Sequence, residues 1–166
     1  MDNRKNKTDY YLELADAVSR RSTCIRRMYG AIIVNNDEII STGYNGAPRG
    51  RKNCNDRGNC ARQQLNIPSG ERYELCRSVH AEANAIISAA RRDMIDATMY
   101  LVGRDFDTGK LLTDTTSCSM CRRMIINSGI TRIIARTGED ACTETNVRDW
   151  VYNDDSQAAI FPAGLS

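Results

Sequence analysis

Apolar positions along the chain fall into two periods. Between residues 8 and 21, Tyr11, Leu14, Ala15 and Val18 recur at the i, i+3, i+4, i+7 spacing of one helix face, with Thr8 placed to cap it. Ala31-Ile32-Ile33-Val34 is an unbroken apolar run, the mark of a buried strand. Asn35-Asn36-Asp37 is turn chemistry, and Glu38-Ile39-Ile40-Ser41-Thr42-Gly43-Tyr44 predicts a second strand, closing a hairpin. Residues 45–77 carry neither period. They open with the turn-rich Asn45-Gly46-Ala47-Pro48-Arg49-Gly50 and continue as a polar segment holding Cys54, Cys60 and Cys76. A loop of this length inside a compact domain is functional or clamped.

Helical spacing returns at residue 78 and predicts a mostly buried helix to about residue 92 through Ala81, Ala85, Ile86, Ala89 and Ala90. Thr98-Met99-Tyr100-Leu101-Val102 predicts a third strand. Residues 105–116 form an exposed excursion turning at Asp107-Thr108-Gly109. A short helix over 118–127 stops at Gly129, and Ile130-Thr131-Arg132-Ile133-Ile134-Ala135 is a fourth strand. The strand–helix–strand order makes strands three and four parallel through a right-handed crossover. Residues 146–151 predict a last helix. No fifth strand is visible, and the residues after Asp154 are uninformative. The 166 residues suit one domain, 1–166, with a Cys-rich insertion at about 45–77.

Charge and composition change this picture little. A formal net charge of +2 argues against a dedicated nucleic-acid binder. Met1-Asp2-Asn3-Arg4-Lys5-Asn6-Lys7 has no apolar core and does not read as a secretory signal. No run is long and apolar enough to cross a membrane. The expected compartment is the cytoplasm, where thiols stay reduced, so the seven cysteines point to metal ligation or buried thiols rather than disulfides.

The single histidine, His80, lies where loop becomes helix, and Glu82 follows two residues later; Cys118 and Cys121 come downstream as C-x-x-C. Zinc takes four ligands, and a catalytic zinc leaves one position for water. His80 and Glu82 diverge on a helix flank, so they serve one site only at the helix tip. Cys118 and Cys121 fit one side of a first turn. Both ligand-bearing segments then aim positive helix ends at the metal and favour thiolate at the two cysteines. Glu82 is the candidate proton shuttle for a zinc-activated water. Each motif alone has an ordinary reading, a cap or core histidine and a structural zinc pair. Together, with the glutamate, they point to catalysis.

His80-Ala81-Glu82 with Ser117-Cys118-Ser119-Met120-Cys121 resembles the zinc-dependent cytidine/deoxycytidylate deaminase superfamily. Four stretches are similar to its deoxycytidylate (dCMP) deaminase branch: Arg21-Ser22-Thr23-Cys24, Ser41-Thr42-Gly43-Tyr44-Asn45-Gly46-Ala47-Pro48, the run 67–76 around Pro68-Ser69-Gly70-Glu71, and the run 124–130. The likeness covers about residues 21–135. One departure stands out: the family proline before the first cysteine is Ser117 here, whose hydroxyl is placed to cap the helix. The excursion 105–116 and the Trp150 region also depart.

The resemblance implies a three-layer α/β/α fold with a central mixed sheet of about five strands. It implies hydrolytic deamination of dCMP to dUMP, with Zn2+ on His80, Cys118 and Cys121 and Glu82 relaying protons. Asn45 would meet the sugar or ring and the Ala81 backbone N–H the pyrimidine edge. Among Arg26, Arg27, Arg49 and Lys52, Arg26 is the candidate for the phosphate. The branch suggests a second, structural zinc on Cys24, Cys54, Cys60 and Cys76, leaving Cys142 a plain thiol. It also suggests a homo-oligomer, hexamer or dimer, with dCTP and dTTP as effectors and no membrane partner. Two other readings stay open. One is a deaminase of another cytosine nucleoside, nucleotide or modified base. The other is a non-catalytic zinc-stabilised nucleic-acid-binding module built on the Arg20-Arg21, Arg26-Arg27 and Arg91-Arg92 pairs.

Overall fold

A computed structural model describes residues 3–154. In chain order the elements are α1 (Lys7–Ser19), β1 (Arg27–Asn35), β2 (Glu38–Tyr44), α2 (Cys54–Arg57), α3 (Ala61–Gln64), a 3-10 turn (Tyr73–Leu75), α4 (Ala81–Ile87), α5 (Arg91–Met94), β3 (Thr98–Asp105), α6 (Ser119–Ser128), β4 (Arg132–Arg136), β5 (Cys142–Asn146) and α7 (Val147–Tyr152). The sheet order is β2-β1-β3-β4-β5. β1 is antiparallel to β2 and β3, β3 is parallel to β4, and β4 is antiparallel to β5. The hairpin turns on Asn36 and Asp37, both at positive φ, a conformation these residue types tolerate.

The alternation of strand side chains separates two cores. Ala31, Ile33, Met99, Leu101, Ile133 and Ala135 face α4 and α6. Ile32, Val34, Tyr100, Val102 and Ile134 face α1 through Tyr11, Leu12 and Ala15. Helices therefore cover both faces, the expected three-layer arrangement.

Several boundaries differ from the sequence pattern. Asn6, not Thr8, caps α1: its side chain accepts from the Asp9 N–H, and the helix ends at Ser19. The helix expected over 78–92 is two pieces, because the chain turns extended at Ala90 before the single turn of α5. At its end, Ser88 Oγ donates to Asn84 O at 2.8 Å, a local bond that competes with further helix. Residues 45–77 are not wholly irregular but hold α2, α3 and the 3-10 turn. The unforeseen β5 is an edge strand with mostly exposed side chains.

Two glycines set how closely helices lie on the sheet. A Cβ on Gly30 would lie 2.1 Å from Ala15 O, and one on Gly43 would lie 2.3 Å from both Ala81 O and Ala85 N. Backbone therefore rests on backbone where α4 crosses β2. Ser41 Oγ donates to Ala85 O at 2.7 Å, and Asn84 Nδ2 donates to Tyr44 O at 2.7 Å. These contacts fix α4, and with it residues 80–82.

Candidate active site

His80 and Cys118 occupy the same structural position, the extended cap residue of α4 and of α6, and neither side chain caps its own helix. Both are therefore free to point outward from the helix tips. Cys121 lies one turn into α6. His80 Nδ1 is 3.4 Å from Cys118 Sγ and 3.4 Å from Cys121 Sγ, and the three ligand atoms lie within 4.8 Å of one another. Tetrahedral bonds of roughly 2.3 Å to sulfur and 2.1 Å to nitrogen would hold N and S about 3.6 Å apart. The donor set and its spacing fit a zinc ion. Among the described residues no other group of three potential ligands converges this way.

Electrostatics agree with the geometry. The hydrogen bond from Cys121, with His80 assisting, pulls the Cys118 thiol down to about 4, while that same bond and burial push Cys121 up. Burial alone would lower His80; the Cys118 sulfur and the charge of Glu82 outweigh it and raise it. Glu82, second residue of α4 and 5% exposed, has its carboxyl raised above the ordinary range. Burial is the cause, opposed by its own backbone N–H and by His80. A buried carboxyl with a raised pKa beside a metal-ligand trio is suited to carry a proton.

A cavity of about 110 Å³ opens on His80 and Cys118 of this trio and is also lined by Glu82, Ala81, Asn45 and Arg26. Ala81 is the first residue of α4, so its N–H has no acceptor within the helix. Asn45 lines the cavity, but most of its amide is engaged. Its Oδ1 accepts from Tyr29 N and Ser22 Oγ, both at 2.7 Å, and its Nδ2 donates to Arg27 O at 2.8 Å. One amide hydrogen remains for a ligand. Gly46 and Val79 exchange backbone bonds of 3.1 and 2.8 Å, tying this loop to the segment that enters α4. Thr116, at the end of the excursion, completes the wall beside Cys118.

Ser117 does not cap α6, whose cap residue is Cys118; the buried Ser117 hydroxyl instead faces the Glu82 carboxyl and opposes its rise. Cys24, Cys54, Cys60 and Cys76 all line the same cavity. Burial raises the Cys54 thiol, with Cys24 next in effect. No three of these four sulfurs draw within the 4.8 Å that marks the first trio. Cys142 is exposed on β5. Sequence reasoning missed Arg62, which is buried, stacked on Tyr73 and set in the cavity wall. Only its place beside Pro68-Ser69-Gly70 and the cysteines hinted at more than a solvated charge.

The model of the cytidine and deoxycytidylate deaminase zinc-binding region matches residues 5–137. The chain belongs to this family. A deoxycytidylate deaminase from Schizosaccharomyces pombe is 32% identical over 136 residues, covering 82% of this chain and 38% of that protein, so the chain spans less than half of that relative. A deoxycytidylate deaminase from Mycobacterium phage D29 is 34% identical over 131 residues, covering 76% of this chain and 91% of that protein. The solved dCMP deaminase of cyanophage S-TIM5 superposes with a TM-score of 0.55 at 24% identity over 82% of this chain and 88% of that one, which shows the deaminase fold. No helix among the described residues is long and apolar enough to cross a membrane.

Proposed function

We propose that this chain is a dCMP deaminase, hydrolysing the C4 amino group of dCMP to give dUMP and ammonia, with one zinc ion on His80, Cys118 and Cys121. The observation that carries the reading is the meeting of those three ligand atoms, with His80 and Cys118 in the wall of a cavity that the buried Glu82 also lines. The relatives named deoxycytidylate deaminase support the choice of substrate.

When bound, the metal supplies a polarised water and holds it at an open coordination position. Glu82 does the proton work. Its raised pKa lets it accept a proton from the attacking water, deliver it to ring N3 and then serve the leaving amine. One C–O bond forms at C4, one C–N bond breaks, and one water is consumed per ammonia released. Ala81 N–H bonds the pyrimidine edge. The remaining amide hydrogen of Asn45 is directed to the sugar, and Arg26 is a cation for the phosphate. Enclosure of Glu82 keeps bulk water from exchanging the relayed proton.

In this reading the chain works as one deaminase domain with residues 45–77 as its insertion. A second zinc on Cys24, Cys54, Cys60 and Cys76 would draw in four thiols that now share one cavity without closing on a point, since metal loading and local folding are coupled. The enzyme assembles as a homo-oligomer, supported by the exposure of Ile87 (70%) and Tyr152 (77%). It responds to dCTP and dTTP and works in the cytoplasm on pyrimidine deoxynucleotides.

The test is ammonia release from dCMP by zinc-loaded protein, wild type against Glu82→Gln. The variant should retain zinc and lose roughly 10²- to 10⁴-fold in turnover, the usual share of a general acid–base. A fully active variant, or a wild type that turns over deoxycytidine or dCTP but not dCMP, refutes the reading. Zinc analysis giving one ion per chain removes the four-thiol site alone.

A further inference from the structure

Three buried side-chain polar atoms among the described residues have no hydrogen-bond partner, Thr23 Oγ1, Arg62 Nε and Arg77 Nε, whereas the Ser78 and Ser117 hydroxyls face the Cys54 thiol and the Glu82 carboxyl. Arg62 and Arg77 belong to the wall of the cavity that opens on His80 and Glu82. Buried polar groups in folded proteins are overwhelmingly satisfied, so a cluster of leftover donors at one cavity asks for a ligand. A guanidinium donates only, so the missing partner must supply acceptors.

Arg62 is the unusual member. It is 7% exposed, yet no carboxylate of the described residues forms an ion pair with it. Its Nη2 donates to Pro68 O at 2.7 Å, and its guanidinium carbon lies 4.5 Å from the centre of the Tyr73 ring. The nearby Glu74 is exposed and paired with Arg72 instead. Burying a cation without an anion is costly, so such a charge is normally paired. Arg77, half-buried, lines the same cavity, with one nitrogen on Lys52 O at 3.1 Å and its Nε free.

The position of Arg62 tells what anion fits. Tyr73 stands edge-on to His80, with ring centres 4.8 Å apart and an interplanar angle of 84°. The chain from metal ligand to Arg62 is therefore His80, one tyrosine ring, then the guanidinium. A substrate with its reacting ring at His80 and its anion one sugar away reaches from one to the other. Resting on the deaminase reading above, we propose that Arg62, assisted by Arg77, holds the 5′-phosphate of the substrate. The Cys-rich insertion is then the element that selects a nucleotide over its nucleoside. Its fork suits a phosphate bidentately, and the Tyr73 face pre-orients it. Arg26 lines the same cavity but is only half-buried, with no orphaned side-chain atom, and is the weaker cation for the role.

The experiment measures kcat and KM for dCMP and for deoxycytidine, and competitive inhibition by inorganic phosphate, in wild type, Arg62→Gln, Arg62→Lys and Arg26→Gln. Zinc content of each variant is the control for folding. Arg62→Gln should raise KM for dCMP roughly 10- to 100-fold with a much smaller change in kcat, as expected for losing a charge-assisted pair to phosphate. It should collapse the dCMP-over-deoxycytidine preference by the same factor and weaken phosphate inhibition. Arg62→Lys should fall between, keeping the charge but not the fork; it decides the matter if Arg62→Gln loses its zinc. A preference within threefold of wild type in these variants overturns the proposal. So does an equal loss on both substrates, which marks a structural anchor. A larger effect from Arg26→Gln than from Arg62→Gln, or a changed dCTP response with unchanged KM for dCMP, also overturns it. A wild type inactive on dCMP sinks the deaminase reading first, and is told apart by the wild-type rate alone.

Discussion

Gly43→Ala is a one-methyl test of how the catalytic helix is seated. The added Cβ would sit 2.3 Å from Ala81 O, 2.3 Å from Ala85 N and 2.9 Å from Asn84 C, all backbone atoms of α4. Ordinary contact begins near 3.4 Å, so α4 must retreat by about 1 Å. No flexible side chain can absorb the clash, and over-packing of this kind costs about 1–3 kcal/mol. For a chain of this size each kcal/mol moves the midpoint by about 2–4 °C, so calorimetry should show a fall of about 2–12 °C. The same retreat carries Ala81 and Glu82 away from α6. A misplacement of about 1 Å near the chemistry can cost on the order of 100-fold in rate. The assay pairs melting temperature with ammonia release and zinc content. A variant that melts within 2 °C of wild type and turns over dCMP within threefold would refute the claim that β2 sets the height of α4.

Stripping the metal with a chelator should lower the melting temperature by about 8–16 °C. A ligand at a thousandfold over its dissociation constant contributes about 4 kcal/mol, and His80→Ala should abolish the difference. Asn45→Ala should destabilise by about 2–4 kcal/mol in urea titrations, since it deprives Tyr29 N and Arg27 O of their side-chain partner at once, while Ser22 Oγ keeps the Asn45 carbonyl. Asp16 joins α1 to β3 through Arg104, with Nη2 to Oδ2 at 3.0 Å. Burial would raise this carboxyl, but the Arg104 hydrogen bond and charge, with Arg20, lower it below its usual 3.8. A depressed folded pKa gives stability that is fully present above about pH 4 and is lost as pH falls through the folded value. Asp16→Asn should therefore be less stable than wild type at neutral pH, and the two melting curves should converge below pH 3.8.

Much of this was legible in the sequence because burial writes a period. The β1 run, the α1 stripe and the parallel β3–β4 pair were all carried by apolar positions that the two cores use. The trio was legible because metal ligation restricts residue type and spacing, and both ligand-bearing segments open helices as required. β5 was not, because Cys142-Thr143-Glu144-Thr145-Asn146 is held by backbone pairing to β4 at an exposed edge, where side chains need not alternate. The break between α4 and α5 was hidden by Ala89 and Ala90, good helix formers that follow the Ser88 hydroxyl bonded back to Asn84 O. Arg62 was invisible because a charged residue in a polar segment reads as solvated, and its burial depends on Tyr73 and Pro68 folding around it.

The ligands at the two helix tips are separated by 38 and 41 positions along the chain. A ribosome making this protein must therefore release everything through Cys121 before the ion can be seated. Until then the histidine and its neighbouring acid have no cysteine opposite them to complete the trio. Assembly of the trio is deferred until α6 has been made, and a polypeptide truncated in β3 would lack both cysteines of the trio.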